Sequence, residues 1–196
     1  MDARTTAVDR IAPFSDGVFA IAITLLIIEI GVPGEEVSGS ELTDALTDLV
    51  PQFFSFVFSF LVIGRYWIAH HLMFDVVERR TTALLWLNLA LLLCIAFLPF
   101  PSALLGEHLD DPAAVAVYAA AMCATGVAST ALWAYIARTN AVERREAATT
   151  LRRAASVPIV FGLSIPAAFV DLGALTLATV LWIVALPLAA IIRRAT

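Results

Sequence analysis

The sequence predicts an all-α, polytopic membrane protein that forms a single unit over residues 1–196, with six transmembrane helices and both termini in the cytoplasm. Its 196 residues are 61% hydrophobic and 15% charged, and the mean hydropathy is +0.90, which excludes an ordinary soluble domain. Several apolar runs reach the about 20 residues that a helix needs to cross about 30 Å of hydrocarbon. None of them alternates in polarity like the strands of a membrane barrel, so helices are expected throughout.

Local features support the spans in order along the chain. Pro13 suits the first turn of the first span, where its missing N–H costs nothing. A removable signal peptide has a charged segment, a short apolar core and a cleavage site in that order. The N-terminus lacks this order, so we expect no removable signal peptide. Residues 39–50 predict a short amphipathic helix at the outer interface. Pro158 and Pro166 interrupt the short fifth span, and a tight turn at 171–173 precedes the sixth. The predicted spans lie at about residues 13–32, 51–74, 82–104, 113–137, 155–171 and 173–192.

Charge segregation sets the predicted orientation. Every basic residue is an arginine, and all but Arg65 fall outside the predicted spans and on one side of a six-span arrangement. Positive residues mark the cytoplasmic side. The opposite loops, 31–50 and 106–112, contain acids and no arginine; they are either merely solvated or concentrate cations at an entrance. The inner arginines are Arg4, Arg10, Arg79, Arg80, Arg138, Arg144, Arg145, Arg152, Arg153, Arg193 and Arg194.

A polar cluster opens the first span. Arg10, Ser15 and Asp16 lie near its cytoplasmic end, and Arg10 and Asp16 are too far apart in sequence for an ordinary i,i+4 pair. One interpretation is a helix cap with an arginine that reaches the interface. The other is that these residues bind partners on a neighbouring helix, because ionisable groups at membrane depth are costly unless they face protein or water.

The second span offers such partners at its own cytoplasmic end. Trp67 precedes His70 and His71 by three and four residues, so at least one histidine shares a helix face with the indole. An antiparallel neighbour can present an indole N–H and an imidazole to Ser15 and Asp16. Adjacent helical histidines point about 100° apart and do not readily bind one ion, so we expect no metal site.

The third to sixth spans contain little that suggests chemistry. Asn88 and the small residues of 113–137 are interpreted as helix-packing features, and Cys94 and Cys123 as packing residues rather than a disulfide. The sequence has no nucleophile with its base, no glycine-rich phosphate loop and no cysteine–histidine metal spacing. We therefore predict that the protein is not an enzyme and has no cofactor.

The sequence resembles the prokaryotic form of the transmembrane protein 175 potassium channels. The resemblance is carried by Arg10-x-x-x-Phe14-Ser15-Asp16, by the following "GVFAIAITLL" and by "YWIAHH" in the second span. It implies a homotetramer in the prokaryotic plasma membrane, built around the first-span helices and surrounded by lipid, with potassium as the permeant ion and no nucleic-acid partner. It also implies that the signature residues hold the pore-lining helix against the second span. The implied polar network comprises Arg10, Phe14, Ser15, Asp16, Trp67, His70 and His71.

The resemblance further implies a pore face on the first span. Ile21 matches the hydrophobic constriction and Thr24 a polar layer that influences ion selectivity. Leu25 and Ile28 extend the constriction with i, i+4, i+7 spacing, and such apolar rings gate by dewetting. Because the chain has no T-V-G-Y-G filter, we expect modest preference for potassium over sodium. The alternatives are a proton-linked secondary transporter that uses His70 and Asp16, and a non-conducting membrane scaffold.

Overall fold

The structure, a computed structural model, describes residues 11–78 and 81–170 together with Ala178 and Trp182. In this part the chain is helical, without strands. Three segments, Val50–Phe74, Thr82–Glu107 and Pro112–Thr139, are long and apolar enough to cross a membrane. They coincide with the predicted second, third and fourth spans, and with the composition they identify a membrane protein. The helices are α1 (Ile11–Leu25), α2 (Ser40–Asp48), α3 (Val50–Phe74), α4 (Thr82–Phe97), α5 (Pro99–Glu107), α6 (Pro112–Thr139) and α7 (Arg144–Ala167).

The first span is shorter than predicted. Helix α1 ends at Leu25 rather than near residue 32, and the chain continues in tight turns, with the Ile28 N–H bonded to the Leu25 carbonyl at 3.1 Å. The segment that follows is rich in β-branched residues, which favour helix less. Pro33 also keeps the residue before it extended, and Gly31 adds backbone freedom. These features end the helix early.

The third span is broken into two helices. Helix α4 ends at Phe97 and α5 starts at Pro99, with the Leu98 N–H bonded to the Ile95 carbonyl at 3.2 Å in a tighter turn. Pro99 has no N–H for the helical ladder, and its ring conflicts with the carbonyl of Ile95 four residues earlier. The predicted third span, 82–104, therefore corresponds to the apolar segment Thr82–Glu107, with a break in the helix at Leu98.

The fifth span belongs to a longer helix than predicted. Helix α7 begins at Arg144, so arginines that were placed between the fourth and fifth spans are part of the helix, which continues through Pro158. Arginine, alanine and glutamate are good helix formers, which accounts for the extension. The predicted sixth span lies outside the described residues except for Ala178 and Trp182, both of which are buried.

The helices pack in a defined order around the core. Helix α1 packs against α3 and α4, α3 against α5, α4 against α6, and α6 against α7. The segment predicted to be amphipathic forms α2 and has few contacts with the bundle beyond α3. Within the described ranges, α1 contacts neighbouring helices on one side only, and the side chains on its other side are exposed.

A hydroxyl chain joins α3, α5 and α6 within the core. The hydroxyl groups of Tyr118 and Ser59 lie 3.2 Å apart, and Ser59 and Ser102 lie 2.8 Å apart. The Ser102 hydroxyl is also 2.8 Å from the Leu98 carbonyl. Ser102 is the donor in both of its contacts, so its single proton is shared between Ser59 Oγ and the Leu98 carbonyl, and the Tyr118 hydroxyl bonds the other side of Ser59. The chain thus satisfies polar groups that would otherwise be costly to bury.

Candidate functional site

A buried hydrogen-bond chain connects α1, α3 and α4 near the start of α1. His70 Nε2 lies 2.8 Å from Asn88 Oδ1, Asn88 Nδ2 donates to Ser15 Oγ at 3.0 Å, and Ser15 Oγ donates to the Ile11 carbonyl at 2.9 Å. With a proton on His70 Nε2, each donor in the chain has an acceptor. Ser15, His70 and Asn88 are all buried, so the chain fixes the position of α1 against two neighbours.

Aromatic rings enclose the histidine of this chain. The centroid of the His70 ring lies 4.4 Å from that of Phe74 in a stacked arrangement and 5.5 Å from that of Phe19 in a tilted one. Phe74 comes from the same helix and Phe19 from α1. The imidazole is therefore held by packing as well as by its hydrogen bond to Asn88.

Asp16 has a partner on the neighbouring helix. The indole Nε1 of Trp67 donates to Asp16 Oδ1 at 2.7 Å, a short distance that is typical of a hydrogen bond to a charged acceptor. Of the two interpretations of this aspartate, the structure supports contact with a neighbouring helix. Together with the Ser15 chain, this bond gives α1 two polar attachments within one turn.

The remaining network residues differ in their placement. Arg10 lies outside the described residues, and the Phe14 side chain is exposed. His71 is also exposed, with its ring centroid 6.0 Å from that of Trp67. The structure thus brings Ser15, Asp16, Trp67 and His70 together through hydrogen bonds, and neither Phe14 nor His71 joins those bonds.

Asn88 is the functional-site residue that the sequence interpretation missed. It was assigned to helix packing, whereas its amide joins the imidazole of His70 to the hydroxyl of Ser15. The available signal was an isolated amide in the strongly apolar run of α4, because a polar group at that depth needs a partner. The sequence did not indicate which helix would supply that partner.

The predicted pore residues occupy the unpacked side of α1. Ile21 is 61% exposed and Leu25 is 40% exposed, whereas Phe19 and Ala22 are each 1% exposed. Ile28 is 71% exposed, but it lies in the turns after α1, so its predicted position at i+7 of one continuous helix is wrong. The exposed side of α1 is therefore mainly apolar.

Thr24 adds a single hydroxyl to this exposed side. Its Oγ1 donates to the Ile21 carbonyl at 3.0 Å, as threonine side chains in helices commonly do. With its only proton engaged, the oxygen keeps acceptor capacity alone. A free lone pair next to apolar neighbours is a group that an ion passing along this face could contact.

Among the described residues, no cluster of three or more histidine, cysteine, aspartate or glutamate side chains is arranged to hold a metal ion. The two described cysteines are free. The chemical features of the site are therefore the two polar attachments of α1 and the exposed face that carries Ile21, Thr24 and Leu25.

Comparison with known proteins identifies relatives of the chain. Residues 10–99 match the family model described as "Endosomal/lysosomal potassium channel TMEM175". A crystal structure titled as that of a lysosomal potassium-selective channel TMEM175 homolog from Chamaesiphon minutus is 35% identical. It superposes with a TM-score of 0.77 over 85% of this chain and 88% of that chain.

Two curated relatives extend the comparison. A potassium channel of Streptomyces collinus is 47% identical over 135 residues, which cover 67% of this chain and 65% of that protein. An endosomal/lysosomal proton channel of Gallus gallus, named TMEM175, is 37% identical over 110 residues, which cover 52% of this chain and 22% of that protein. The match to the Streptomyces channel thus spans less than two thirds of that relative's length.

Proposed function

The chain belongs to the TMEM175 family, and on this premise we propose that it assembles as a homotetrameric, potassium-conducting channel whose pore is lined by α1. The relatives named potassium channels support the conducted ion. The observation that carries the proposal is the exposed side of α1, because a helix held firmly on one side and unpacked on the other is suited to line a pathway formed between subunits.

In this channel, the apolar side chains of α1 form the constriction. Ile21 and Leu25 face the pathway, and Ile28 contributes from the turns beyond the helix. Rings of such side chains exclude water when they are narrow and admit an ion when they widen. The two polar attachments of α1 hold these side chains in register, so the network has a structural role in conduction rather than a direct one.

Thr24 is the group proposed to influence ion preference. Its hydroxyl oxygen can replace part of an ion's hydration shell, whereas the neighbouring aliphatic side chains cannot. A single layer of hydroxyl oxygens offers fewer ligands than a backbone-carbonyl filter. We therefore expect modest selectivity for potassium over sodium.

The membrane arrangement belongs to the same proposal. Each subunit crosses the prokaryotic plasma membrane six times, with both termini in the cytoplasm. The segregation of arginines to one set of loops supports this orientation. The three helical segments with sufficient length and hydropathy support three of these crossings.

Potassium flux from liposomes that contain the purified protein tests the proposal. We expect potassium flux above that of protein-free liposomes, with a lower flux of sodium.

Two substitutions on α1 test the roles of its exposed residues. Ile21→Ala should increase potassium flux because it widens the constriction. Thr24→Val should change the potassium-to-sodium flux ratio because it removes the hydroxyl at nearly constant volume. Ile159→Ala, at an isoleucine of similar exposure on α7, is the matched control and should change neither. Absence of potassium flux, or equal effects of the Ile21 and Ile159 substitutions, would contradict the proposal.

Proton flux belongs in the same assay. The Gallus gallus relative is named a proton channel, so some proton passage through the same pathway is expected. A proton-linked transporter would instead need His70 to exchange protons with water, and this side chain is 2% exposed and bonded to Asn88. Slow flux that saturates with potassium concentration would favour the transporter over the channel.

A further inference from the structure

The N-terminal half of α7 carries an exposed cluster of arginines. Arg144, Arg145, Arg152 and Arg153 are all exposed, and Arg138 at the end of α6 is exposed as well. Residues 138–153 contain these five arginines and two glutamates, a net charge of +3, whereas the whole chain has a net charge of −5. The positive charge is thus concentrated in one segment of a chain that is acidic overall.

The opposite side of this segment is fixed against α6. The indole Nε1 of Trp133 donates to the Ala147 carbonyl at 3.3 Å, and Pro158 packs directly on Gly126. Arg145 and Arg152 are seven residues apart, so they lie on one line along the helix. Among the described side chains, no carboxylate lies within ion-pair distance of the four arginines of α7. These four arginines are therefore exposed and have no ionic partner among the described side chains.

The same line continues into apolar residues. Ile159 is 59% exposed and Leu163 is 65% exposed, and both lie on the side of α7 that carries Arg145 and Arg152. Seven residues separate Arg152 from Ile159, a rise of about 10 Å. If the exposed apolar part faces acyl chains, Arg152 and Arg153 lie at the depth of the phosphate groups, and Arg144 and Arg145 lie farther into the water.

We propose that the arginine face of α7, defined by Arg144, Arg145, Arg152 and Arg153, binds the phosphate headgroups of anionic phospholipids in the cytoplasmic leaflet. A guanidinium group offers two parallel N–H donors to a phosphate and pairs with it better than an ammonium group does. Arg152 and Arg153 make the main contacts because they adjoin the exposed apolar surface, which accommodates the acyl chains. The inference depends on the proposed membrane orientation but not on ion conduction.

The experiment measures lipid binding directly on the purified full-length protein. Phosphatidylglycerol is titrated in nonionic detergent and bound lipid is counted by native mass spectrometry, with phosphatidylcholine as the neutral-headgroup comparison and inorganic phosphate as the headgroup without acyl chains. We expect phosphatidylglycerol to bind more tightly than either. Each arginine near a membrane surface contributes about five-fold in affinity, so R152Q/R153Q should weaken phosphatidylglycerol binding by about 25-fold.

A matched pair of arginines controls for net charge. R193Q/R194Q removes the same charge from the C-terminal end, outside the arginine face of α7. In detergent an arginine contributes only where it contacts the bound lipid, so this variant should weaken phosphatidylglycerol binding by less than the about five-fold that one contacting arginine is worth. Equal losses in the two double variants, or unchanged binding in R152Q/R153Q, would overturn the proposal. Tighter binding of inorganic phosphate than of phosphatidylglycerol would also overturn it.

A conservative variant keeps the test decisive if R152Q/R153Q does not fold. R152K/R153K preserves the charge and removes the paired donors, so it should bind phosphatidylglycerol more weakly than the unmodified protein and leave phosphatidylcholine binding unchanged. Phosphatidylglycerol affinity equal to that of the unmodified protein would overturn the proposal. Because no step measures ion flux, a protein that binds this lipid but conducts no potassium would refute the channel proposal alone.

Discussion

At the scale of single residues, two polar attachments of different character hold α1 against its neighbours. The Ser15 chain is buried and consists of neutral groups, whereas the Asp16 bond to Trp67 involves a charged carboxylate and a half-exposed indole. A buried neutral group that loses its partner is left unsatisfied in a low dielectric. A partly exposed charge can turn to water instead. The two attachments should therefore respond differently to substitution.

Trp67→Phe tests the charged attachment. It removes the indole N–H but keeps an aromatic ring, and we expect the free energy of unfolding to fall by about 1.5 to 2 kcal/mol, in the lower part of the range for hydrogen bonds to charged groups. Thermal unfolding in detergent measures the change. Trp86→Phe is the matched control, because Trp86 is 69% exposed on α4, and it should change the melting temperature little. Equal shifts for the two variants would show that the bond to Asp16 is not what stabilises α1.

Asn88→Ala tests the buried attachment. It leaves both His70 Nε2 and Ser15 Oγ without their side-chain partner, so we expect the free energy of unfolding to fall by about 2 to 4 kcal/mol. Ser15→Ala should cost less, since only one contact of the Asn88 amide is lost. The double variant should be less destabilised than the sum of the two single variants, because the groups act in one chain. Additive losses measured by the same unfolding assay would exclude the coupling.

The sequence was informative about one of these attachments. Trp67 was identified as a partner for the polar cluster from its three- and four-residue spacing to the histidines and from the antiparallel arrangement of the first two spans. Asn88 was assigned to packing, because hydropathy reports that a polar residue is buried and not which helix it meets. The choice between His70 and His71 depends on the rotation of α3 about its axis, which local spacing does not determine.

Prolines and a glycine shape the contacts at the element scale. Pro99 divides the third span into α4 and α5, whereas Pro158 lies inside α7 without ending it. Pro158 is accommodated because Gly126 on α6 has no side chain: an added Cβ there would lie 2.7 Å from Pro158 Cδ and 2.9 Å from its backbone N. This close approach is one reason that α6 and α7 pack tightly.

Gly126→Ala tests the approach of α6 and α7. The added methyl group meets a rigid ring and backbone atoms rather than the flexible end of a side chain, so the helices must separate, at a cost of about 1 to 3 kcal/mol. Gly64→Ala on α3 is the control, because nothing lies within 4 Å of its added Cβ. That substitution should leave stability unchanged or raise it by about 0.5 to 1 kcal/mol, as alanine favours helix over glycine. Melting temperatures that fall equally in both variants would contradict the packing argument.

Hydropathy predicted the existence of the described helices better than their ends. The second and fourth spans agree with α3 and α6 within about two residues, because length and apolar composition define a helix that crosses a membrane. The early end of α1, the break at Leu98 and the start of α7 at Arg144 were missed. These three features depend, in that order, on β-branched residues, on a proline and on charged residues that favour helix. A hydropathy window measures only apolar content and does not detect such local effects.

At the scale of the whole molecule, exposed apolar surface lies on more than one helix. One subunit has an exposed apolar side on α1 and another on α7, both around isoleucines of nearly equal exposure, 61% at Ile21 and 59% at Ile159. Exposure within a single chain therefore does not distinguish a surface that faces lipid from one that faces copies of the same chain. The distinction must come from proximity between subunits, since residues near a rotation axis meet their own copies.

Disulfide cross-linking tests the proposed assembly on this basis. In a background with Cys94 and Cys123 replaced by alanine, Ile21→Cys should form disulfide-linked dimers on oxidation in the membrane. Side chains that line one central pathway come close to their copies as the pore fluctuates. A disulfide forms when the two Cα atoms approach to about 4.4–6.8 Å. Ile159→Cys should remain monomeric on non-reducing gels, because the proposed arrangement turns α7 toward lipid. Both variants should retain the unmodified melting temperature within a few degrees, which confirms folding. Cross-links at Ile159 with none at Ile21 would place α7 at the subunit contact and remove α1 from the pore, and the roles proposed for Thr24 and Leu25 would fall with it.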